Sequence, residues 1–171
     1  SLLEKMAPEL EFEVQQVQAV DFQERHISST QIRKALSVGN IKEANEMLGY
    51  TYSVSGEVVH GKKIGRTIGY PTANIAVNSM KFLPKKGAYI VDVFVKKQHL
   101  KGMLSIGTNP TVDGKLVSVE VYILNFNDDL YGEEISVNFR EFLHDEIKFE
   151  NLEKLIERLD EDKKLTENFQ F

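Results

Sequence analysis

The sequence predicts a mainly β fold, an antiparallel barrel or sandwich that follows two short helices and precedes one longer helix. Segments rich in valine, isoleucine and aromatic residues recur after residue 50, at 52–59, 88–96, 100–106, 116–126 and 134–142. Turn-forming residues separate them, at 96–99, Asn109-Pro110, Asp113-Gly114 and 127–129. Because no strand–helix alternation accompanies these short strands, a barrel or sandwich is favoured over a parallel nucleotide-binding sheet.

The two helices are predicted from their end signals. Ser28 and Gln31 form a capping-box pattern ahead of apolar residues at helical spacing, and Gly39 is expected to end this helix. A second helix is expected over 41–48, with Gly49 ending it in the same way. The change from helical to strand-rich texture at this point predicts a domain boundary within 49–51.

The elements at the two chain ends are predicted from apolar spacing. Within 11–20, Phe12 and Val14 are spaced by two, so a short strand is expected there. At the other end, 151–168 is expected to form an amphipathic helix that packs one apolar stripe on the barrel. That stripe consists of Leu152, Leu155, Ile156 and Leu159.

Composition limits the classes of function. The 171 residues carry a formal net charge of -5, which disfavours general nucleic-acid binding, and contain no cysteine, which excludes disulfides and thiolate chemistry. No apolar run reaches membrane-spanning length and no signal-peptide pattern opens the chain, so a cytoplasmic protein without nucleic-acid or membrane partners is predicted. The histidines are scattered and no GxSxG motif is present, so hydrolase chemistry is disfavoured.

Residues 61–75, GKKIGRTIGYPTANI, have the composition of a phosphate-binding loop. Glycines at a spacing of four permit positive φ and close approach of a ligand: Gly61, Gly65 and Gly69. Cations lie among them: Lys62, Lys63 and Arg66. The segment is neither GxxxxGK[ST] nor GxGxxG, so its glycine spacing alone also fits a long hairpin connection.

Thr72 and Asn74 close this segment and would share one side of a strand that begins there. A hard cation such as Mg²⁺ takes few oxygen ligands from protein and the rest from phosphate and water. Two neutral oxygens therefore suit Mg²⁺ when ATP supplies the charge. The alternative is that both side chains only bond to the local backbone of a turn.

Glu120 is the candidate general base. Within 117–126, strand alternation puts valines and Ile123 on one face, and Ser118, Glu120 and Tyr122 on the other. Alternation alone favours a solvent-facing glutamate. The alternative is a base that takes a proton from a substrate hydroxyl.

Five short segments occur in a characteristic order. They are GRTIGYPTAN (65–74), LPKKGAY (83–89), SIGTNPT (105–111), VEV (119–121) and DLYG (129–132). Together they resemble the riboflavin kinases, and more closely the C-terminal kinase module of bacterial bifunctional riboflavin kinase/FAD synthetases. The resemblance covers residues 50–169. It implies a six-stranded antiparallel Greek-key barrel with a C-terminal helix.

The resemblance also implies an activity, which is transfer of the ATP γ-phosphate to the riboflavin 5′-hydroxyl with Glu120 as catalytic base. Thr72 and Asn74 are expected to touch Mg²⁺ and the nucleotide phosphates, and Tyr131 and Glu146 are expected near the flavin. The residues expected to bind the nucleotide are Gly61, Lys62, Gly65, Arg66, Thr67, Gly69, Pro71, Thr72 and Asn74.

The run ISSTQIR at 27–33 resembles a motif of the nucleotidyltransferase half of the bifunctional enzymes, in which Ser28, Ser29 and Arg33 would contact ATP phosphates. None of the histidines lies in the HxGH-type motif that this half also needs, so FAD synthesis is expected to be absent. The expected division is a remnant of an FMN adenylyltransferase domain at 1–48 and a riboflavin kinase domain at 49–171.

Two positions depart from the family pattern. Tyr122 stands where a histidine is usual, and His144 occupies the arginine position of the LR-x-E-x-KF segment, which reads LHDEIKF at 143–149. If that arginine binds phosphate, His144 supplies a weaker and pH-dependent charge. His144 and the missing partner domain leave a non-catalytic flavin- or nucleotide-binding barrel as the alternative function.

Overall fold

The computed structural model describes residues 2–15, 18, 21–22, 25–111 and 114–170 of the chain. Its helices are α1 (Leu2–Met6), α2 (Ser29–Ser37), α3 (Ile41–Leu48), α4 (Ile64–Thr67) and α5 (Leu152–Asn168). Its strands are β1 (Asp21–Phe22), β2 (Arg25–His26), β3 (Ser53–Val59), β4 (Ala73–Val77), β5 (Gly87–Val95), β6 (Gln98–Thr111), β7 (Gly114–Ile123) and β8 (Glu134–His144). Within these described ranges, no helix combines the length and apolar content needed to cross a membrane.

Six strands close into an antiparallel barrel in the order β3-β4-β7-β6-β5-β8, and β8 pairs back to β3. β5, β6 and β7 are neighbours both in sequence and in the sheet, and β8 returns to lie beside β5, which is the Greek-key arrangement. Apolar side chains fill its core, including the fully buried Tyr89, Val91, Val93, Val121, Val137 and Phe139. The predicted six-stranded Greek-key barrel is confirmed.

The turn between β5 and β6 is tighter than predicted. Lys96 and Lys97 both have positive φ, 46° and 65°, as a two-residue type I′ hairpin loop requires. Gln98 therefore already begins β6, and the predicted four-residue turn at 96–99 is too long by two residues.

The turn predicted at Asn109-Pro110 is wrong, because both residues lie in β6 and pair with β7. A proline is tolerated there because, among the described residues, β5 pairs with β6 only as far as Ile106. In the described part of the chain, that edge of β6 is not paired with β5 beyond Ile106, so a proline there removes no hydrogen bond to β5. Asp113, part of another predicted turn, lies outside the described residues.

The predicted helix end signals are present, namely the capping box of α2 and the glycines that end α2 and α3. The Ser28 hydroxyl accepts from the Gln31 N–H while the Gln31 side chain accepts from the Ser28 N–H, so the capping box is complete at the start of α2. Gly39 and Gly49 have φ of 82° and 72° after α2 and α3. These left-handed conformations end the helices as predicted.

Helices α2 and α3 pack on the barrel. The Asn45 side chain of α3 donates to the Phe139 carbonyl at 3.0 Å and accepts from the Tyr52 N–H at 2.7 Å. The buried residues of the two helices join the apolar cluster of the barrel core: Ala35, Leu36, Ile41, Ala44 and Met47. The helices assigned to a remnant domain thus share a core with the predicted kinase domain.

The strand predicted within 11–20 is wrong for the residues of that range that are described, because 11–15 and 18 form no strand. Residues 16, 17, 19 and 20 lie outside the described residues. After this range, β1 and β2, which have two residues each, pair as a short antiparallel ribbon.

Helix α5 packs on β6 through a face that differs from prediction. The Asn151 side chain caps its first turn by accepting from the Lys154 N–H at 2.9 Å. Leu152, predicted to lie in the buried stripe, is 50% exposed, whereas the polar Asp162 and Thr166 are buried. Between these extremes, the predicted apolar positions Leu155, Ile156 and Leu159 are half-buried.

Candidate active site

The glycine loop, residues 61–72, connects β3 to β4 and contains the single helical turn α4, which sequence reasoning did not predict. Local backbone bonds hold this turn. The Gly65 carbonyl accepts from the Tyr70 N–H at 2.8 Å and from the Ile68 N–H at 3.2 Å. The Thr67 hydroxyl donates to the Ile64 carbonyl at 2.7 Å. Hydrogen bonds within the loop therefore fix its conformation.

The glycines of the loop serve two different purposes. A Cβ on Gly61 would lie 2.2 Å from Asn74 Nδ2, and a Cβ on Gly65 would lie 2.1 Å from the Tyr70 carbonyl oxygen. Gly69 instead has a φ of 84°, with open space where its Cβ would be. Close approach thus requires glycine at the first two positions, and backbone conformation favours it at the third.

Thr72, Asn74 and Glu120 lie together where β4 pairs with β7. The Thr72 hydroxyl donates to Glu120 Oε2 at 3.1 Å. Asn74 is directly opposite Glu120 in the strand register. Because opposed residues of an antiparallel pair project to the same face, the amide and the carboxylate share one side of the sheet. All three residues are half-buried.

A cavity of about 440 Å³ opens beside Thr72. The glycine loop contributes Arg66, Pro71 and Thr72 to its lining, and the strands contribute Val58, Ala73, Val121 and Ile123. A second wall comes from residues 126–131: Phe126, Asn127, Asp128, Asp129, Leu130 and Tyr131. The volume falls in the range of small-molecule and cofactor sites, which is about 300–1,000 Å³.

Sequence reasoning missed most of this second wall. Its Asn-Asp-Asp run predicts a turn, and the residues do lie between strands. The Asp129 side chain accepts from the Tyr131 N–H at 3.0 Å, and the Asp129 carbonyl accepts from Lys96 Nζ at 3.1 Å. Turn-forming residues and cavity-lining residues have the same composition here, so the sequence gives no signal that separates the two roles.

The two residues predicted near the flavin lie in different places. Tyr131 lines the cavity together with Arg66 and Thr72, and its ring packs against His60 with centroids 3.9 Å apart. Glu146 does not line that cavity; its Oε1 accepts from the Thr108 N–H of β6 at 3.2 Å. Tyr131 therefore lies with residues predicted to bind the nucleotide.

Several other predicted residues lie away from the cavity lining. Lys62 is exposed, and Thr67 bonds within its own helical turn. Ser28 caps α2, Ser29 is the first residue of that helix, and Arg33 is exposed on it. The capping role gives Ser28 a structural purpose in this chain independent of any nucleotide.

His144 is held by the C-terminal helix. Its Nε2 lies 2.8 Å from Asp162 Oδ2, and its Nδ1 lies 2.7 Å from the Asp145 carbonyl oxygen. Arg158 Nη2 lies 3.0 Å from the other Asp162 oxygen, which is ion-pair distance without hydrogen-bond alignment. His144 thus already has a carboxylate partner on α5, which argues against a role as a free phosphate-binding side chain.

Comparisons with known proteins identify the family of the chain. A family model described as riboflavin kinase matches residues 48–170. A bifunctional riboflavin kinase/FMN adenylyltransferase of Listeria monocytogenes is 47% identical over 144 residues, which cover 84% of this chain and 46% of that relative. The enzyme of the same description from Escherichia coli is 39% identical over 155 residues, which cover 90% of this chain and 49% of that relative. The chain thus spans about half the length of these relatives.

A solved structure shares the whole fold. The crystal structure of a protein described as a macrolide-efflux protein from Streptococcus pneumoniae superimposes with a TM-score of 0.87 at 40% sequence identity. The match covers 98% of this chain and 55% of that one. Its extent shows that α2 and α3 and the barrel occur together in another protein.

Proposed function

This chain belongs to the riboflavin kinase family, and on that premise we propose that it transfers the γ-phosphate of ATP to the 5′-hydroxyl of riboflavin, which yields FMN and ADP. The observation that carries the proposal is the contact between Thr72 and Glu120 at the edge of the cavity. It joins the residues expected to handle phosphate to the residue expected to handle the acceptor hydroxyl.

Glu120 acts as the general base. The Thr72 hydroxyl donates to one oxygen of its carboxylate, which leaves the other oxygen available to accept a proton. As the riboflavin 5′-oxygen bonds to the γ-phosphorus, its proton passes to Glu120, and the bond from the γ-phosphorus to the bridging oxygen of ADP breaks. Because phosphoryl transfer needs little covalent chemistry from protein, alignment by these side chains is the main requirement.

The donor set at Thr72 and Asn74 fits Mg²⁺. A hydroxyl oxygen and an amide oxygen are hard, neutral ligands, and Mg²⁺ keeps most of its coordination for water and phosphate. Asn74 is packed against Gly61 so closely that a Cβ there would overlap its amide, which restricts its orientation. When bound, the ion would neutralise charge on the nucleotide phosphates.

The nucleotide occupies the cavity beside the glycine loop. Arg66 lies in the lining and supplies positive charge, while Val58, Val121 and Phe126 provide apolar surface. Riboflavin approaches Glu120 from the other direction along β6 and β7. Support for that side is the pairing of Ser105 with Glu120, a short distance along β6 from the contact of Thr108 with Glu146.

The test is an assay of the purified protein with riboflavin, ATP and Mg²⁺, followed by chromatographic separation of flavins. FMN without FAD is the expected result, since no HxGH motif for adenylyl transfer is present in these residues. Bound riboflavin that is never converted to FMN would instead indicate a non-catalytic flavin-binding barrel and overturn the proposal. Omission of Mg²⁺ should abolish FMN formation.

A further inference from the structure

The most deeply buried side chains of α5 are polar, whereas a helix that merely covers a barrel would bury apolar ones. Asp162 is 3% exposed and Thr166 is fully buried, whereas Leu152 and Leu165 are half exposed. A buried carboxylate is costly unless it is paired and hydrogen-bonded. The partner of Asp162, and the partner of the exposed Asp160 two residues before it, therefore indicate which segments the helix holds in place.

The first partner is Tyr70 of the glycine loop. Its hydroxyl donates to Asp160 Oδ1, and its ring packs edge-on against Tyr122 with centroids 5.1 Å apart. Burial raises the pKa of Tyr70, and the bond to the Asp160 carboxylate raises it further, so the hydroxyl remains a donor. Tyr70 directly precedes Pro71 and Thr72, both of which line the cavity. Asp160 thus anchors the loop beside the proposed nucleotide site.

The second partner is His144, at the end of β8. Both of its ring nitrogens contact oxygens, Asp162 Oδ2 and the Asp145 carbonyl oxygen, which fixes the ring between α5 and the backbone that follows β8. Asp145 is followed by Glu146, whose side chain accepts from the Thr108 N–H. Asp162 thus anchors the segment on the proposed riboflavin side.

We propose that α5 positions both substrate-binding segments of the kinase site, with Asp160 holding the glycine loop and Asp162 holding the 143–149 segment. The inference rests on the proposed function, because the two segments are assigned to two substrates by it. The anchoring carboxylates are two residues apart on one helix. Asp160 and Asp162 are positioning residues, since they act through Tyr70 and His144 rather than on substrate.

The experiment separates the two links by substrate. Tyr70→Phe and Asp160→Ala should raise KM for ATP about tenfold, the scale of a lost hydrogen bond to a charged group, and leave KM for riboflavin within about twofold. Asp162→Ala and His144→Gln should show the opposite pattern. Glu157→Gln is the control, because this exposed α5 residue pairs only locally with Lys154 in the contacts described.

Thermal unfolding of each variant is measured beside the kinetics. Variants that fold and shift both KM values together, or neither, would overturn the proposal. If Asp162→Ala does not fold, His144→Gln decides the second link alone. Failure of the unaltered protein to form FMN would contradict the proposed function instead. In that case the same variants are compared by binding. Calorimetry with MgADP measures their nucleotide affinity, and quenching of riboflavin fluorescence measures their flavin affinity.

Discussion

The two walls of the cavity are built in different ways. The glycine loop is shaped by its own backbone, because Gly61 and Gly65 allow close contacts with Asn74 and with the Tyr70 carbonyl. The wall at 126–131 is shaped by side chains, with Asp129 accepting from the Tyr131 N–H and Lys96 reaching across from another turn. The sequence predicts the first wall because its glycines can be recognised there. The second wall has no comparable signal in the sequence.

The difference has a consequence for substitution. In the glycine loop a Cβ on Gly65 would meet the Tyr70 carbonyl oxygen, a main-chain atom that cannot move without shifting the loop, and a Cβ on Gly61 would meet the Asn74 side-chain amide. In the second wall a lost side-chain contact removes one hydrogen bond and leaves the backbone path free to adjust. Substitutions should therefore cost more in the first wall than in the second, and most of all at Glu120, where the reaction itself is proposed to occur.

Glu120→Gln should have the largest effect. It keeps the shape and an acceptor for the Thr72 hydroxyl but removes the proton acceptor. General-base removal costs about 10²–10⁴-fold in rate, or roughly 3–5 kcal/mol of barrier. Steady-state kinetics should show this fall in kcat with little change in the melting temperature. Near-normal turnover would remove Glu120 from the reaction, and Glu57→Gln, at an exposed position of β3, is the matched control.

Gly65→Ala should come next. The new Cβ would lie 2.1 Å from the Tyr70 carbonyl oxygen, so the loop must shift. A displacement of about 1 Å in a positioning element can cost about a hundredfold, so kcat/KM for ATP should fall on that scale. Gly69→Ala is the comparison, because it has a positive φ but open space around its Cβ. Strain there is about 1–2 kcal/mol, and only part of it should reach the site. Equal effects of the two substitutions would contradict the division of roles among the glycines.

The sequence predicted some parts of this structure and missed others. The strand-rich barrel and the capped helices were predictable, because strand alternation and helix end signals are local properties. Joining Thr72 and Asn74 with Glu120 in one site came only from the resemblance to riboflavin kinases. The contacts of α5 were not predicted, because no sequence pattern pairs Asp162 with His144. The turn predicted at Asn109-Pro110 was wrong because pairing with β7 overrides the local turn signal.

The second wall should show the smallest effect, at Asp129. Asp129→Ala removes the acceptor of the Tyr131 N–H and loosens the residue that packs against His60 at the cavity. Loss of one such hydrogen bond is worth about 1 kcal/mol, so KM for ATP should rise about fivefold. Asp129→Asn keeps an oxygen acceptor while removing the charge, and it should leave KM within about twofold if the hydrogen bond is what matters. If Asn is as harmful as Ala, the carboxylate charge acts directly on the ligand, and this wall is a recognition surface rather than a scaffold for Tyr131.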